Sequence, residues 1–514
     1  MNDNSNSDGN SRLERYILLL AWVFVIFTIL AIPLKIIKYG YLPVDDALRH
    51  AAKAVSGKPW QDILILNPAY KIDHEFGWNL LLEKIYQFTH WNTEDLVLLS
   101  VVGLFVLWGW SVLPWLRRPE AWLAAILLCA VSNGAPLRFL LGRPFTITSI
   151  AVMALLFLWQ RHGSSPPRKW MLFFMISLVT ISTYVHGVWY LWVLPVAAFI
   201  LAEQIRWGIS LFFAWIIGVA LGSLLTGHLI NYPLQALKLL SMALGMHATT
   251  RTMASELMPG TGDVMSLLIL GGLLVMRHLA NLNGPSFLKN PAFWLAALTW
   301  VLAFKVTRFW GDWGLPALMV LLTCELEVLF INKMAATGFR RLLFVFGLAV
   351  ATYLCLTGDV GSRWSATLSK PHLSADNPDL KGWLPEPGGV FYTAEMTLFF
   401  DTFYSNPHGD WRYLLGFEPT WMPKEDFETY HKILWNFGES KAYEPWVQKM
   451  KPADRLALSG GRSSPPQIPE LEWNYGVSGI WIGRLPRTNS FPSAPVTVPA
   501  KPPEAPANPP TAKP

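Results

Sequence analysis

Tyr16-Ile17-Leu18-Leu19-Leu20-Ala21-Trp22-Val23-Phe24-Val25-Ile26-Phe27-Thr28-Ile29-Leu30-Ala31-Ile32-Pro33-Leu34-Lys35-Ile36-Ile37 is the stretch that decides the fold. It carries no charge before Lys35 and matches the ~20 apolar residues that a helix needs to cross a bilayer. It is too long for the apolar core of a signal peptide, and no small-residue cleavage site follows, so it reads as an uncleaved first span. Ten more apolar runs follow at roughly 95–115, 120–136, 145–160, 170–185, 187–203, 208–227, 263–277, 291–306, 314–331 and 340–357. The expectation is a mainly α, polytopic transmembrane bundle of about eleven spans over residues 16–357.

Composition agrees. Of the 514 residues, 52% are hydrophobic and only 15% charged, against about a quarter charged in soluble domains. The 26 Trp suit a chain with two bilayer interfaces. The net charge of +6 is spread over many loops, which argues against nucleic-acid binding. Cys129, Cys324 and Cys355 all fall in apolar segments and offer neither a disulfide framework nor a metal cluster.

Orientation follows from the loops. With residues 1–15 in the cytoplasm, alternate short loops carry Arg117 and Arg118; Arg161, Arg168 and Lys169; Arg206; Arg277 and Lys289; and Lys333, Arg340 and Arg341. Short basic loops belong on the cytoplasmic side. The opposite side then holds the two longest loops, about 39–94 and 228–262, and everything after Gly358. Residues 358–487, rich in Trp, Tyr, Pro and charge, are expected to form an extracytoplasmic mixed α/β domain. Residues 488–514, rich in Pro and Ala, read as a disordered tail.

The first outer loop opens Gly40-Tyr41-Leu42-Pro43-Val44-Asp45-Asp46-Ala47-Leu48-Arg49-His50. Pro43 turns the chain out of the span, and two acids follow at headgroup level, ahead of a stretch of helical character. The plainer reading is that Asp45 and Asp46 cap that helix. A second acidic cluster, Asp73 and Glu75, stands in Tyr70-Lys71-Ile72-Asp73-His74-Glu75-Phe76-Gly77-Trp78-Asn79. Other strong polar residues sit where spans emerge on the same side: Arg138 and Arg143, His186, and Lys305, Arg308 and Asp312. Ionisable groups at membrane depth are costly, so their convergence with two acids points to a site rather than to separate snorkelling side chains.

A carboxylate can act as general base on a hydroxyl, and Arg or Lys can hold a phosphate leaving group. The cytoplasmic loops are too short for a nucleotide-binding domain, and no Walker-type glycine loop is present. A transferase built this way needs a donor already in the membrane, such as a polyprenyl-phosphate sugar.

This layout resembles the GT-C glycosyltransferases, polytopic enzymes that use lipid-linked sugars and include aminoarabinose and protein O-mannosyl transferases. The resemblance is carried by the Asp45-Asp46 pair opening a long first outer loop, by about a dozen spans, and by the C-terminal outer domain. It implies an inverting transfer with one acid of the pair as base, Asp45 before Asp46. Asp73 or Glu75 would match a second acid that some members carry. It also implies a lipid-linked sugar donor, a carbohydrate, lipid or protein acceptor, and a bacterial inner membrane with the C-terminal domain in the periplasm. Some members need a divalent cation, for which Asp45, Asp73 or Glu75 are the ligand candidates. Arg143, Lys305 and Arg308 are assigned to the donor phosphate from their position alone. The Trp-Trp-Asp-Tyr-Gly motif of oligosaccharyltransferases is missing; Trp310-Gly311-Asp312-Trp313-Gly314 resembles it only superficially and lies between spans.

His50, His74 and Glu75 match no zinc spacing, and no nucleophile elbow is present. Glu395, Asp401, Asp410, Arg412 and Glu418, set among Tyr404, Trp411 and Trp421, read as the core and rim of the outer domain. Met242 to Met258 read as a lipid-groove cover or an interfacial helix. Two rival functions stand beside the transferase. A transporter or flippase would place its acids near the bilayer midplane; few acids lie deep inside the spans, Glu325 and Glu327 in the inner half of the tenth span being the exceptions. A non-catalytic scaffold of an envelope polysaccharide complex would tolerate loss of Asp45 and Asp46.

Overall fold

The computed structural model describes residues 4–487, except 71, 131–135, 246–258, 261–262, 281–285, 334–338, 370–371, 461–463 and 478. The tail expected at 488–514 and most of the Met242–Met258 stretch lie outside the described residues.

The α-helices run α1 Asn4–Lys38, α2 Asp46–Ser56, α3 Trp60–Ile63, α4 Phe76–Thr89, α5 Thr93–Ser111, α6 Glu120–Ala130, α7 Phe145–His162, α8 Lys169–His186, α9 Val193–Leu201, α10 Ile205–Leu225, α11 Asn231–Gly245, α12 Val264–Leu279, α13 Pro291–Ala303, α14 Leu315–Lys333, α15 Phe339–Thr357, α16 Met396–Ser405, α17 Lys424–Trp435 and α18 Glu444–Lys449. Among the described residues, six helical segments are long and apolar enough to cross a membrane: Arg15–Lys38, Thr93–Trp115, Lys169–His186, Ile205–Leu225, Trp310–Lys333 and Phe339–Thr357. α6, α9, α12 and α13 are apolar but shorter.

Local chemistry sets several ends. Asn92 and Asp95 form a reciprocal capping box at the start of α5, and Asp263 caps α12 through the Ser266 amide. Asn290 followed by Pro291 starts α13. α14 begins at Leu315, within one residue of the predicted 314. A π-helical turn, Trp310–Gly314, precedes it, and the helix then runs through the middle of the bundle.

Packing explains the membrane character further. α10 shows Ile209, Phe213, Ile216, Leu224 and Leu225 to the outside. A surface of that kind is costly in water and natural in lipid. Its other face packs on α8, where Gly218 and Gly222 lie against Val179 and Thr183. This i, i+4 glycine pair lets two helix backbones approach closely, the main source of helix affinity where burial of apolar surface drives nothing. A Cβ at position 222 would meet the Thr183 Cβ at 2.8 Å. Gly222→Leu is therefore expected to cost about 1–3 kcal/mol or more by overpacking. Thermal unfolding in nanodiscs checks it, and an unchanged melting temperature would refute the packing role.

At the end of the bundle away from residues 45–46, Glu120 is buried and shared by two arginines. Arg118 approaches it at 3.3 Å and Arg341, from α15, at 2.9 and 3.1 Å. Beside it, Glu327 of α14 accepts the Arg117 and Arg118 amides. Glu325, the other acid within a predicted span, pairs with Arg277 of α12 at 3.1 Å.

The C-terminal part forms a mixed five-stranded sheet of order β2-β1-β3-β5-β4, with β1 Val390–Tyr392, β2 Arg412–Tyr413, β3 Arg455–Ser459, β4 Glu472–Val477 and β5 Ile480–Arg484. β1 is parallel to β2 and β3, while β5 is antiparallel to β3 and β4. Residues 64–67, between α3 and α4, extend the β2 edge. Leu64 bridges to Tyr413 in parallel, Ile65 N–H donates to the Tyr413 carbonyl at 2.9 Å, and Asn67 N–H to that of Trp421 at 2.6 Å. The loop and the C-terminal sheet are thereby one packed unit, and that unit positions the acids.

Candidate functional site

Asp45 stands at the N-cap of α2, yet its side chain makes no capping bond. It turns to Arg143, whose Nη2 donates to its Oδ2 at 2.5 Å. The helix-capping reading of the pair is thereby set aside for Asp45. Asp46 lies between two guanidinium groups, with Arg49 Nε at 2.8 Å on Oδ1 and Arg143 Nε at 3.5 Å from Oδ2. Burial alone would raise the Asp46 carboxyl; Arg49 and Arg143, with His50 behind them, override it and hold the group well below the usual carboxylate range. Tyr41 stands next to this pair, its phenol pushed above its ordinary range by burial and then by Asp45.

Arg49 is itself buried. It joins Asp46 to Glu75 through an ion pair with each. Burial opposes ionisation of Glu75, but Arg49 outweighs it and the carboxyl is pulled down to about 2. Asp73 is a hub of acceptor bonds. It receives Trp60 Nε1 at 2.9 Å, Asn79 Nδ2 at 2.6 Å and the Glu75 amide at 3.0 Å. Because Asn79 gives its NH₂ to Asp73, its Oδ1 faces His50 Nδ1, at 2.6 Å. That contact places the proton of a neutral imidazole on Nδ1 and turns Nε2 toward Glu75 Oε2, 3.4 Å away. The second acidic cluster expected from the sequence is thus brought into one network with Asp45 and Asp46, in a holding role.

Burial, followed by the charge of Arg49, pushes His50 below its ordinary pKa. The unfolded chain then binds a proton at higher pH than the folded one, so stability falls as pH drops below the ordinary imidazole range. His50→Gln is expected to flatten that part of the melting-temperature profile and leave the steeper loss at carboxylate pH in place. An unchanged slope between those ranges would contradict the assignment.

A second network lies beside the first. Arg138 donates to Asp312 Oδ1 at 2.8 and 2.5 Å, and Arg308 to Oδ2 at 2.8 Å. Arg308 also reaches His186 Nε2 at 3.0 Å, which leaves His186 Nδ1 to face Thr148 Oγ1 at 3.2 Å. Asp312 belongs to the π-helical turn, and Gly311 lets Arg138 lie against that turn: a Cβ there would be 3.0 Å from Arg138 Nε. Glu75 is within electrostatic reach of His186. Residues 138–143 tie the two networks together, with Arg138 committed to one and Arg143 to the other. Gly142, at φ +66°, makes that turn with Ala47 and Val101 against it.

Of the three cations assigned to a phosphate, Arg143 belongs to the acid pair and Arg308 to Asp312, while Lys305 is exposed and outside both networks. The halves differ in charge. Four carboxylates (Asp45, Asp46, Asp73, Glu75) face two guanidinium groups in the first; two guanidinium groups share one carboxylate in the second. A divalent cation on Asp45 or Glu75 would have to displace Arg143 or Arg49, and one on Asp73 would compete with the bonds from Trp60, Asn79 and the Glu75 amide. Among the described residues no group of three His, Cys, Asp or Glu side chains converges as a metal site.

The C-terminal part roofs the first network. Phe417 lies 3.9 Å under the Arg49 guanidinium and 5.0 Å from the Trp60 ring, and Trp421 stands edge-on to His74 at 5.2 Å. Sequence reading passed over Arg49, His50 and Asn79 as site residues, though each follows an acid by one helical turn. Nothing in the sequence pointed to Phe417. No protein-family model matches the chain, and no curated protein matches it either.

Proposed function

We propose that the chain is a membrane glycosyltransferase that moves a sugar from a polyprenyl-phosphate donor to an acceptor hydroxyl. The reading includes a bacterial inner membrane, eleven spans, a cytoplasmic N-terminus and the site on the periplasmic side. The observation that carries it is the short segment 138–143, which sets an acid pair beside a centre with excess positive charge. Asp45 takes the proton of the acceptor hydroxyl. The acceptor oxygen forms the new bond to the anomeric carbon, and the bond from that carbon to the phosphate oxygen breaks, leaving its electron pair on the phosphate. Arg138 and Arg308 balance that charge. Arg143 holds the acid pair in place of the phosphate role first assigned to it, and Asp46, deprived of basicity by two guanidinium groups, orients Arg49 and Arg143.

The test is a panel of polyprenyl-phosphate sugars offered to the protein in nanodiscs with envelope extract as acceptor, read by mass spectrometry. Consumption of one donor with glycosylated acceptor formed is the expected result. Passage of a donor across sealed vesicles without its consumption would replace the transferase by a flippase.

A further inference from the structure

The long loop at about 228–262 contains a helix, α11, most of which sequence patterning left unassigned. α11 follows α10 after residues 226–230 only, so it begins within a few residues of where a membrane-crossing helix ends. Its two faces differ. Ile230, Leu234 and Leu237, spaced i, i+4, i+7, are 67%, 57% and 40% exposed. Leu229 is exposed beside them, and together they continue the apolar surface of Leu221, Leu224 and Leu225 on α10. The opposite face is committed to the protein. The Tyr232 hydroxyl reaches the carbonyls of His74 at 3.0 Å and Thr183 at 2.7 Å. The Gln235 amide pairs with the Ile72 backbone in both directions, accepting from its N–H at 3.2 Å and donating to its carbonyl at 2.6 Å. Lys238 lies 5.3 Å over the Tyr70 ring. The residues so gripped, Tyr70, Ile72 and His74, stand just ahead of Glu75.

We infer that α11 lies in the membrane interface with the Ile230-Leu234-Leu237 stripe seated in bilayer lipid, and that it thereby anchors the 70–75 segment of the site to the membrane surface. The occupant follows from continuity: the stripe extends the lipid-facing side of α10 at the depth where acyl chains meet headgroups. The inference does not depend on the chemistry of the transfer, because a flippase or a scaffold with this fold would be anchored in the same way.

The experiment uses the full chain in nanodiscs of phosphatidylethanolamine and phosphatidylglycerol. Its three cysteines are replaced by alanine, and single nitroxides are placed through Ile230→Cys, Leu234→Cys, Leu237→Cys and, as a control, Asn231→Cys. The three stripe positions are expected to be more accessible to oxygen than to a nickel chelate, and the control less so. Greater access to nickel would place the stripe in water, and exclusion of both reagents would place it under protein; either overturns the inference. A second measurement reads the coupling. Leu234→Gln/Leu237→Gln is expected to raise amide hydrogen exchange over residues 72–79 by about tenfold or more. Exchange there at the wild-type rate would refute the anchoring role.

Discussion

Asp45→Asn is expected to abolish transfer, lowering kcat by about 10²–10⁴-fold, the usual worth of a positioned general base. The substitution keeps the shape of the side chain and an oxygen for Arg143, which now lies 2.5 Å from Asp45 Oδ2. Folding and donor binding should persist, so the defect should fall on kcat far more than on KM. Asp46→Asn should behave differently. Its carboxylate serves two guanidinium groups, so its loss loosens Arg49 and Arg143 and damages both activity and melting temperature. A chain in which Asp45→Asn matched an active wild type, with unaltered fold, would remove the base from this position and send the search to Asp46. Single-turnover consumption of the lipid-linked donor is the measurement, because it isolates chemistry from product release.

Glu120→Gln should have the largest effect on stability. The carboxylate is buried where α6, α15 and the turn before α6 meet, and it is shared by Arg118 and Arg341. Removing one partner of a buried ion pair typically costs about 3–5 kcal/mol, since the charge left behind loses its compensation. Here two positive groups lose a common anion. The expected outcome is a chain that inserts but melts far below wild type, with activity falling only as the folded fraction falls. A melting temperature within a degree or two of wild type would show that the cluster is well hydrated and structurally minor. Replacing all three residues by apolar ones of similar size should recover much of the loss, a contrast that separates the cost of an orphaned charge from the worth of the triad.

Much of the architecture was legible because bilayer-length apolar runs leave few alternatives. The membrane-length segments at 16–38, 95–115 and 340–357 follow from composition alone, within the few residues by which helix ends vary, although α1 itself starts earlier, at Asn4. The acid pair was legible as well, since Pro43 and two charges cannot continue a span. What was not legible depended on distant packing. The π-helical turn at Trp310–Gly314 reads from sequence as a loop, because contacts with distant residues, those of Arg138 and Ser149 with Asp312 among them, hold it wound. The pairing of Arg143 with Asp45 joins residues 98 apart, and no local spacing announces it. The glycine pair at 218 and 222 was visible in principle, as a small-residue spacing in an apolar helix, and becomes informative once α8 is known to lie opposite.

The junction of Leu64 with Tyr413 also has a meaning for biosynthesis. Lys58 donates to the Gly409 carbonyl across 351 residues of chain, and Arg49 waits for Phe417 over a similar span. The acidic loop leaves the ribosome about 350 residues before its roof. Contacts of such long sequence separation form late, after loop closure has been achieved for everything between. A nascent or prematurely terminated chain therefore inserts its helices while its carboxylates remain unassembled.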